Sequence, residues 1–404
     1  MPEERGDSDP LDPGLLDAID GVASGAPGVE YWPYYLVHIA QRLSQHHKKG
    51  RPLPPAYETL RYYAYLPLYL PRYVPRLRHT LRSADLRFEN LLRIREGPFR
   101  ILDVGCGPGT LSIAALDQLQ QASSTSGQRV QIELVGQDRS PLALDVFQKI
   151  LKHLLNAGRW PSLDLDWRCE CGELSRAATV NRAFDIVLLG HVVCELCQEL
   201  EPDAAFQIIH AVLEGTLSDR GIAVIIEPVQ QDRLDLPLQL RDSLRASSTL
   251  HIFGPCLGSS PRCPEWSRPG RDTCSSSTGR VRWRRNTTAG TRLATFMKSS
   301  GLCPIETGGN YVPRSRLAFS GLVVGHGHRD AVPERVGTIV RRYGETGRQF
   351  VCCVGDDGAE RLLTIERSGH DPRHDCYATV RLDGSATSST PWQLSALYPR
   401  KGWP

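Results

Sequence analysis

The sequence predicts an α/β protein built on a doubly wound parallel sheet, preceded by a helical region and followed by a small antiparallel β domain. Three observations carry this. Short apolar or β-branched runs ("FRILDVG", "QIELVGQD", "LDLDWRC", "FDIVLLG", "IAVIIEP") alternate with helical patterns between residues 98 and 325. A glycine-rich turn, "DVGCGPGT", closes the first run and opens a helix. The second run ends in an acid, Asp138, within "LVGQDRS".

Taken in order, residues 1–30 are acidic with scattered Gly and Pro, and are expected to form a disordered leader. Residues 31–97 are basic, aromatic and helical in pattern, but Pro67, Pro71 and Pro75 are expected to break any single long helix there. Within the sheet domain, "DAAFQIIHAVLEGTL" places Phe206, Ile209 and Leu213 on one helix face, with Asp203 as the expected N-cap. Near residue 247 the alternation stops, and a Cys-rich insertion occupies residues 254–285. "TRLATFMKSSGL" then reads as a helix, and "CPIETGGNYV" and "RLAFSGLVVG" as two strands that close the sheet. In the tail, residues 326–404, "VGTIVRRY", "RQFVCCV" and "RLLTIERS" are separated by "GETG" and "GDDG", which predicts an antiparallel meander in an OB-like β domain.

The chain has 404 residues, enough for two or three domains, and a net charge of only +3, which excludes a global polyelectrolyte. No apolar run approaches the length of a membrane span, and the acidic N-terminus resembles neither a signal nor a transit peptide. A cytoplasmic protein without a membrane partner is expected. In a reducing compartment the 12 cysteines point to metal or redox chemistry, with several serving as small core hydrophobes. Oligomeric state is not legible in the sequence.

The turn has the spacing D-x-G-x-G-x-G, in Asp103, Gly105, Gly107 and Gly109, which differs from the dinucleotide G-x-G-x-x-G pattern. Glycines here let the backbone turn tightly and approach a ligand at a helix N-terminus. An acid at Asp138 can accept hydrogen bonds from both hydroxyls of a ribose. With this order of motifs the chain resembles class I S-adenosylmethionine-dependent methyltransferases, and "FDIVLLGHVVCEL" is similar to their fourth-strand segment. The resemblance implies S-adenosylmethionine as cofactor: Asp103 orients the turn and the methionine ammonium, the three glycines cradle the ligand, Asp138 holds the ribose, and "CGEL" lies at the adenine edge. No catalytic residue is visible. The Asp/Asn-Pro-Pro-aromatic motif of many amino-methylating enzymes is missing after "FDIVLLG". Cys194 reads as a packing residue, and His191 as either a base or a structural imidazole.

Cys256, Cys263 and Cys274 have the spacing C-x6-C-x10-C, unlike the paired knuckles of a zinc ribbon. Three thiolates are one short of a closed site. A fourth is offered by Cys352 and Cys353 in "VCCVGDDG", of which a strand presents only one to a given face. An iron–sulfur cluster, zinc and no metal all remain open on this pattern. The cysteine layout, together with "IIEPVQQDRLDLPLQLRDSL" after the fifth strand, resembles the methyltransferase-like proteins of the small ribosomal subunit, whose mitochondrial members assist its assembly. That resemblance spans roughly residues 62–367 and implies a [4Fe–4S] cluster on Cys256, Cys263, Cys274 and Cys353, with Cys352 as substitute. It also implies the small subunit or its rRNA as partner. The family's "PCPH" reads "PCLG" here and its "WCHF" reads "DTCSSS". Two basic clusters are candidate RNA contacts: Arg72, Arg76, Arg78 and Arg82 with Tyr69 and Tyr73, and Arg280, Arg282, Arg284 and Arg285. Three functions follow: an rRNA methyltransferase, an assembly factor that keeps the fold without turnover, and a methyltransferase for a small molecule or protein.

Overall fold

The computed structural model describes residues 11–49, 58–84, 86, 88–93, 97–177, 184–228, 236–247, 249–256, 276–277, 283–284, 287–302, 304–307, 310–313, 318–326, 336–342, 349–354, 360–365, 379–383 and 393–397. Four helices open the chain: α1 (Pro13–Ser24), α2 (Trp32–Lys49), α3 (Glu58–Ser83) and α4 (Phe88–Arg93). The alternating region follows as β1 (Phe99–Val104), α5 (Thr110–Ser126), β2 (Val130–Asp138), α6 (Pro141–Asn156), β3 (Leu163–Cys171), α7 (Leu174–Ala177), β4 (Phe184–Gly190), α8 (Val192–Glu199), α9 (Pro202–Thr216) and β5 (Leu217–Pro228). Beyond it lie α10 (Leu236–Ala246), β6 (His251–Gly254), β7 (Ser276–Ser277), β8 (Trp283–Arg284), α11 (Thr288–Met297), β9 (Pro304–Thr307), β10 (Asn310–Pro313) and β11 (Ala318–Gly325). The tail adds β12 (Val336–Arg342), β13 (Gln349–Val354), β14 (Glu360–Ile365), β15 (Thr379–Asp383) and β16 (Gln393–Leu397).

The main sheet runs β3-β2-β1-β4-β5-β11-β6, with β7 added beside β11. β1 pairs parallel with β2, β2 with β3 and β4 with β5, whereas β11 runs antiparallel to both β5 and β6. A doubly wound sheet whose last inserted strand is reversed is the class I methyltransferase fold that the sequence predicts. Its central strands read as near-continuous apolar runs because both faces are covered; Ile186, Val187, Leu188 and Leu189 of β4 have no exposed surface, whereas β3 at the edge is largely half-exposed. The chain divides into two compact units: Met1–Leu77, Glu96–Ala177 and Thr278–Leu317 form one, and Arg78–Arg95, Ala178–Ser277 and Ala318–Pro404 the other.

Several expectations are corrected. Residues 13–24 of the leader are helical: Asp12 caps α1 by accepting from the Gly14 and Leu15 amides, and Leu15, Leu16, Ile19 and Val22 are buried. Asp20 of this helix accepts from the Trp32 indole at 2.8 Å and from Arg292 at 3.0 Å, so α1 is tied to α2 and α11. Apolar spacing of three and four outweighs acidic composition here. α3 runs unbroken through Pro67, Pro71 and Pro75. The prolines recur every fourth residue, so the hydrogen bonds they delete fall along one stripe. Buried Leu66, Leu70, Tyr73, Leu77 and Leu81 hold the helix by packing. The cap of α9 is Glu201 followed by Pro202, and Asp203 lies inside the first turn.

Only one of the two expected closing strands joins the main sheet. β10 pairs with β9 on one side and β8 on the other in a separate three-stranded sheet, and β6, four residues long, takes the edge position instead. The tail strands form a sheet in the order β14-β13-β12-β15-β16. This is not a plain meander, because β15 returns to lie beside β12 in a Greek-key pattern. Among the described residues no helix is long and apolar enough to cross a membrane.

Candidate functional site

The glycine turn joins β1 to α5. Gly105, Gly107 and Gly109 all adopt left-handed backbone conformations, with φ of 63°, 54° and 74°, which only glycine occupies without strain. Two of the three answer to different neighbours. A Cβ on Gly109 would stand 1.9 Å from the Phe147 ring of α6, whereas one on Gly107 would meet nothing within 4 Å. The turn is therefore packed on one side and open on the other. It is pinned by the Cys106 amide donating to the Gln137 carbonyl at 2.9 Å and the Gly109 amide to the Cys106 carbonyl at 2.8 Å.

Asp138, the last residue of β2, reaches across to this turn. Its Oδ2 accepts from the Gly107 amide at 2.8 Å, and its Oδ1 from the Ser140 amide at 2.8 Å. Each oxygen keeps a second lone pair. Burial raises its pKa, against the opposing pull of the two amides and of the Arg61 and Arg139 charges. Asp103 is more deeply placed, with 1% exposure. Its Oδ2 accepts from the Ser112 amide at 3.0 Å and the Ser112 hydroxyl at 2.6 Å. Its Oδ1 is buried and has no hydrogen-bond partner among the described residues. Burial pushes this carboxyl up to about 7, opposed by Ser112 and reinforced by the charge of Asp138. A buried acceptor with a spare oxygen is matched by a cationic ligand group.

Thus Asp103, the three glycines and Asp138 are brought together in one unit, as the sequence suggests. Cys171 of "CGEL" is exposed at the end of β3, and the Gly172 amide donates to the Asp138 carbonyl at 3.1 Å. These donors and acceptors fit an S-adenosyl ligand: a carboxylate for the ribose, a spare buried oxygen for an ammonium, and unfilled space at Gly107.

The other unit holds a second buried group that sequence reasoning passed over. Glu227, in the "EP" that ends β5, accepts from the Val193 amide at 2.9 Å and the Cys194 amide at 3.1 Å, at the start of α8. Burial pushes it up to about 7, and the two amides act against this. His191 precedes α8 with a φ of 64°, the one left-handed non-glycine among the described residues. The Cys194 thiol donates to the His191 carbonyl at 3.1 Å. Burial, with Glu227 and Glu195 nearby, holds that thiol well above its ordinary value, and Cys194 is packed in the core as expected.

Of the cysteines proposed for metal, Cys256 is buried just after β6, and its carbonyl accepts from Arg245 at 3.4 Å. Cys352 and Cys353 are neighbours on β13, in register with Leu362 and Arg361 of β14. Cys263 and Cys274 lie outside the described residues, and among the described residues no metal-binding group of His, Cys, Asp or Glu occurs. Among the described side chains the basic stripe of α3 does not form an exposed face: Arg76 and Tyr73 are buried, and Arg72, Arg78 and Tyr69 are only partly accessible, while the side chain of Arg82 lies outside those described. Of the second cluster, only Arg284 falls on a described element, β8; Arg280, Arg282 and Arg285 lie outside the described residues.

No protein-family model and no curated protein matches the chain. Solved structures with a similar course include the plantazolicin methyltransferase BpumL in complex with a pentazolic desmethylPZN analog and SAH, at 11% identity and a TM-score of 0.36, over 72% of this chain and 97% of that one. A precorrin 8W decarboxylase from Methanobacterium thermoautotrophicum aligns at 14% identity and a TM-score of 0.32, over 57% of this chain and 83% of that one. The precorrin-6y C5,15-methyltransferase from Geobacter metallireducens aligns at 17% identity and 0.26, over 41% and 71%. All three scores are low, and the class I methyltransferase fold rests on the strand order and the glycine turn themselves.

Proposed function

We propose that the protein binds S-adenosylmethionine at the β1 turn and serves the small ribosomal subunit as an rRNA methyltransferase or as an assembly factor. The observation that carries the cofactor reading is the Gly107 amide bonded to Asp138, which joins the open glycine turn to a carboxylate with lone pairs to spare. Asp138 would hold the ribose, the turn would pass close to the methionine carbons, and Asp103 Oδ1 would take the ammonium. When bound, the cofactor supplies an electrophilic methyl on sulfonium.

The ribosomal part of the reading is supported by the cysteine arrangement of the sequence and by one surface. On α2, Tyr34 is 63% and Tyr35 48% exposed, and His38 and Arg42 continue the same face. Tyr31 beside them carries the Arg292 guanidinium over its ring. The helix contains no acid. Exposed aromatics graded into cations suit stacking and phosphate contact with single-stranded RNA. The factor reading gains from the sequence after "FDIVLLG", which carries no Asp/Asn-Pro-Pro-aromatic motif.

Calorimetric titration with S-adenosylhomocysteine is expected to show one site that Asp138→Ala abolishes; no binding by the wild type would overturn the cofactor reading. Labelled methyl transfer into purified small subunits then separates enzyme from factor. Binding to those subunits is expected to fall steeply with salt, and a flat dependence would remove the RNA contact.

A further inference from the structure

The N-terminal turn of α3 meets the cofactor turn through a chain of hydrogen bonds that the sequence does not advertise. Arg61 forms an ion pair with Glu58 at 3.3 Å, and its Nη2 donates to the Tyr62 hydroxyl. The guanidinium also stands over the Tyr62 ring, 4.5 Å from its centroid. Tyr62, with 7% exposure, is hydrogen-bonded to the Ser140 side chain. Ser140 caps α6 with its hydroxyl and donates its own amide to Asp138 Oδ1. Further along α6, Lys149 donates to the Tyr63 hydroxyl at 2.9 Å, which fixes α3 against α6 at a second point. The register of α3 against α6 and its cap is therefore set by Tyr62 and Tyr63 together.

We infer that Arg61 and Tyr62 are positioning residues of the cofactor site: through Ser140 they hold a cation beside Asp138, and so keep both its oxygens as acceptors for a ribose diol. This rests on the cofactor reading above. The need for it is physical. A buried carboxylate beside a second buried acid tends to take up a proton, and a protonated Asp138 would turn one of its two acceptors into a donor. Asp103 and Cys106 approach Asp138 from β1 and its turn, Cys171 is its register partner on β3, and Arg139 follows it in the chain. Arg61 and Tyr62 are its neighbours from α3, and Arg61 is the cation among these that lies outside the β2 connection.

The sign follows directly. Asp138 has a raised pKa, so its contribution to cofactor affinity is full above that value and is lost as pH falls through it, beside the acid limb that Asp103, at about 7, adds in every variant. Removing the Arg61 charge raises the value further and moves the acid limb of binding to higher pH. Dissociation constants for S-adenosylhomocysteine would be measured from pH 5 to 9 on the full chain. For Arg61→Met, affinity at pH 6 is expected to weaken roughly 3- to 10-fold and to converge on wild type at pH 9. Arg61→Lys keeps the charge and is expected to restore most of the profile; Tyr62→Phe, which frees the guanidinium, should fall between. A loss of affinity equal at every pH, or an unchanged profile in Arg61→Met, overturns the inference. Should Arg61→Met melt before measurement, a wild-type profile in Tyr62→Phe overturns it equally. Wild-type protein that binds no S-adenosylhomocysteine at any pH fails the cofactor reading itself.

Discussion

At the scale of single residues, the glycine turn separates two demands that look identical in sequence. Gly107 and Gly109 both need a left-handed backbone, yet only Gly109 lies against a core side chain. Alanine at Gly109 meets backbone strain of about 1–2 kcal/mol and overpacking against Phe147 of about 1–3 kcal/mol. Phe147 is fully buried, so it has little room to yield. Gly109→Ala should therefore lower the unfolding free energy by several kcal/mol, read from urea denaturation. Gly107→Ala carries the backbone strain alone, because its Cβ enters open space. Its loss should be about 1–2 kcal/mol, while affinity for S-adenosylhomocysteine falls far more, since the methyl fills the space the ligand would use. Equal stability losses in the two variants, or undiminished binding in Gly107→Ala, would contradict this assignment of the turn's two sides.

Among elements, the strands were the legible part and the helical region the misleading one. β1, β4 and β5 announce themselves as apolar runs because they are buried on both faces, and the turn chemistry between the strands is local. β6 is hidden for the opposite reason: four residues at a sheet edge carry too short a pattern to stand out. α1 and α3 fail differently. Composition points to disorder in one and to breakage in the other, and tertiary burial overrides both. Propensity is a weak prior wherever a helix has a core to pack on. For α3 the cost of its prolines should still be measurable. Pro75 is partly exposed, and an amide there would donate to the Pro71 carbonyl one turn back. Pro75→Ala is expected to stabilise the protein by about 1–3 kcal/mol, raising the thermal midpoint. A neutral or lowered midpoint would mean that the helix does not continue through this position as the structure has it.

For the whole molecule, the cofactor half of the site was readable because its residues lie within one β-α-β stretch, where sequence spacing translates into distance. Arg61, Tyr62 and Glu227 were not, since each acts on a residue outside its own β-α-β stretch or on an element with no motif of its own, and no local pattern marks a carboxylate that will be capped from elsewhere. The cysteines pose the same problem on a larger scale. Cys256 and Cys353 are nearly a hundred residues apart in sequence, one beside a sheet edge and the other on a tail strand. A shared metal would join these elements, and its binding energy would become folding energy for the tail. On that reading Cys256→Ser and Cys353→Ser each remove iron and acid-labile sulfide from anaerobically purified protein. Both should also expose the tail to protease while leaving S-adenosylhomocysteine affinity intact, because the glycine turn draws on none of these residues. Cys352→Ser should retain the metal, because neighbouring residues of a strand alternate between its two faces. Stoichiometric zinc in wild-type protein would replace the cluster with a thiolate zinc site, and full protease resistance in metal-free protein would show that the tail folds without either.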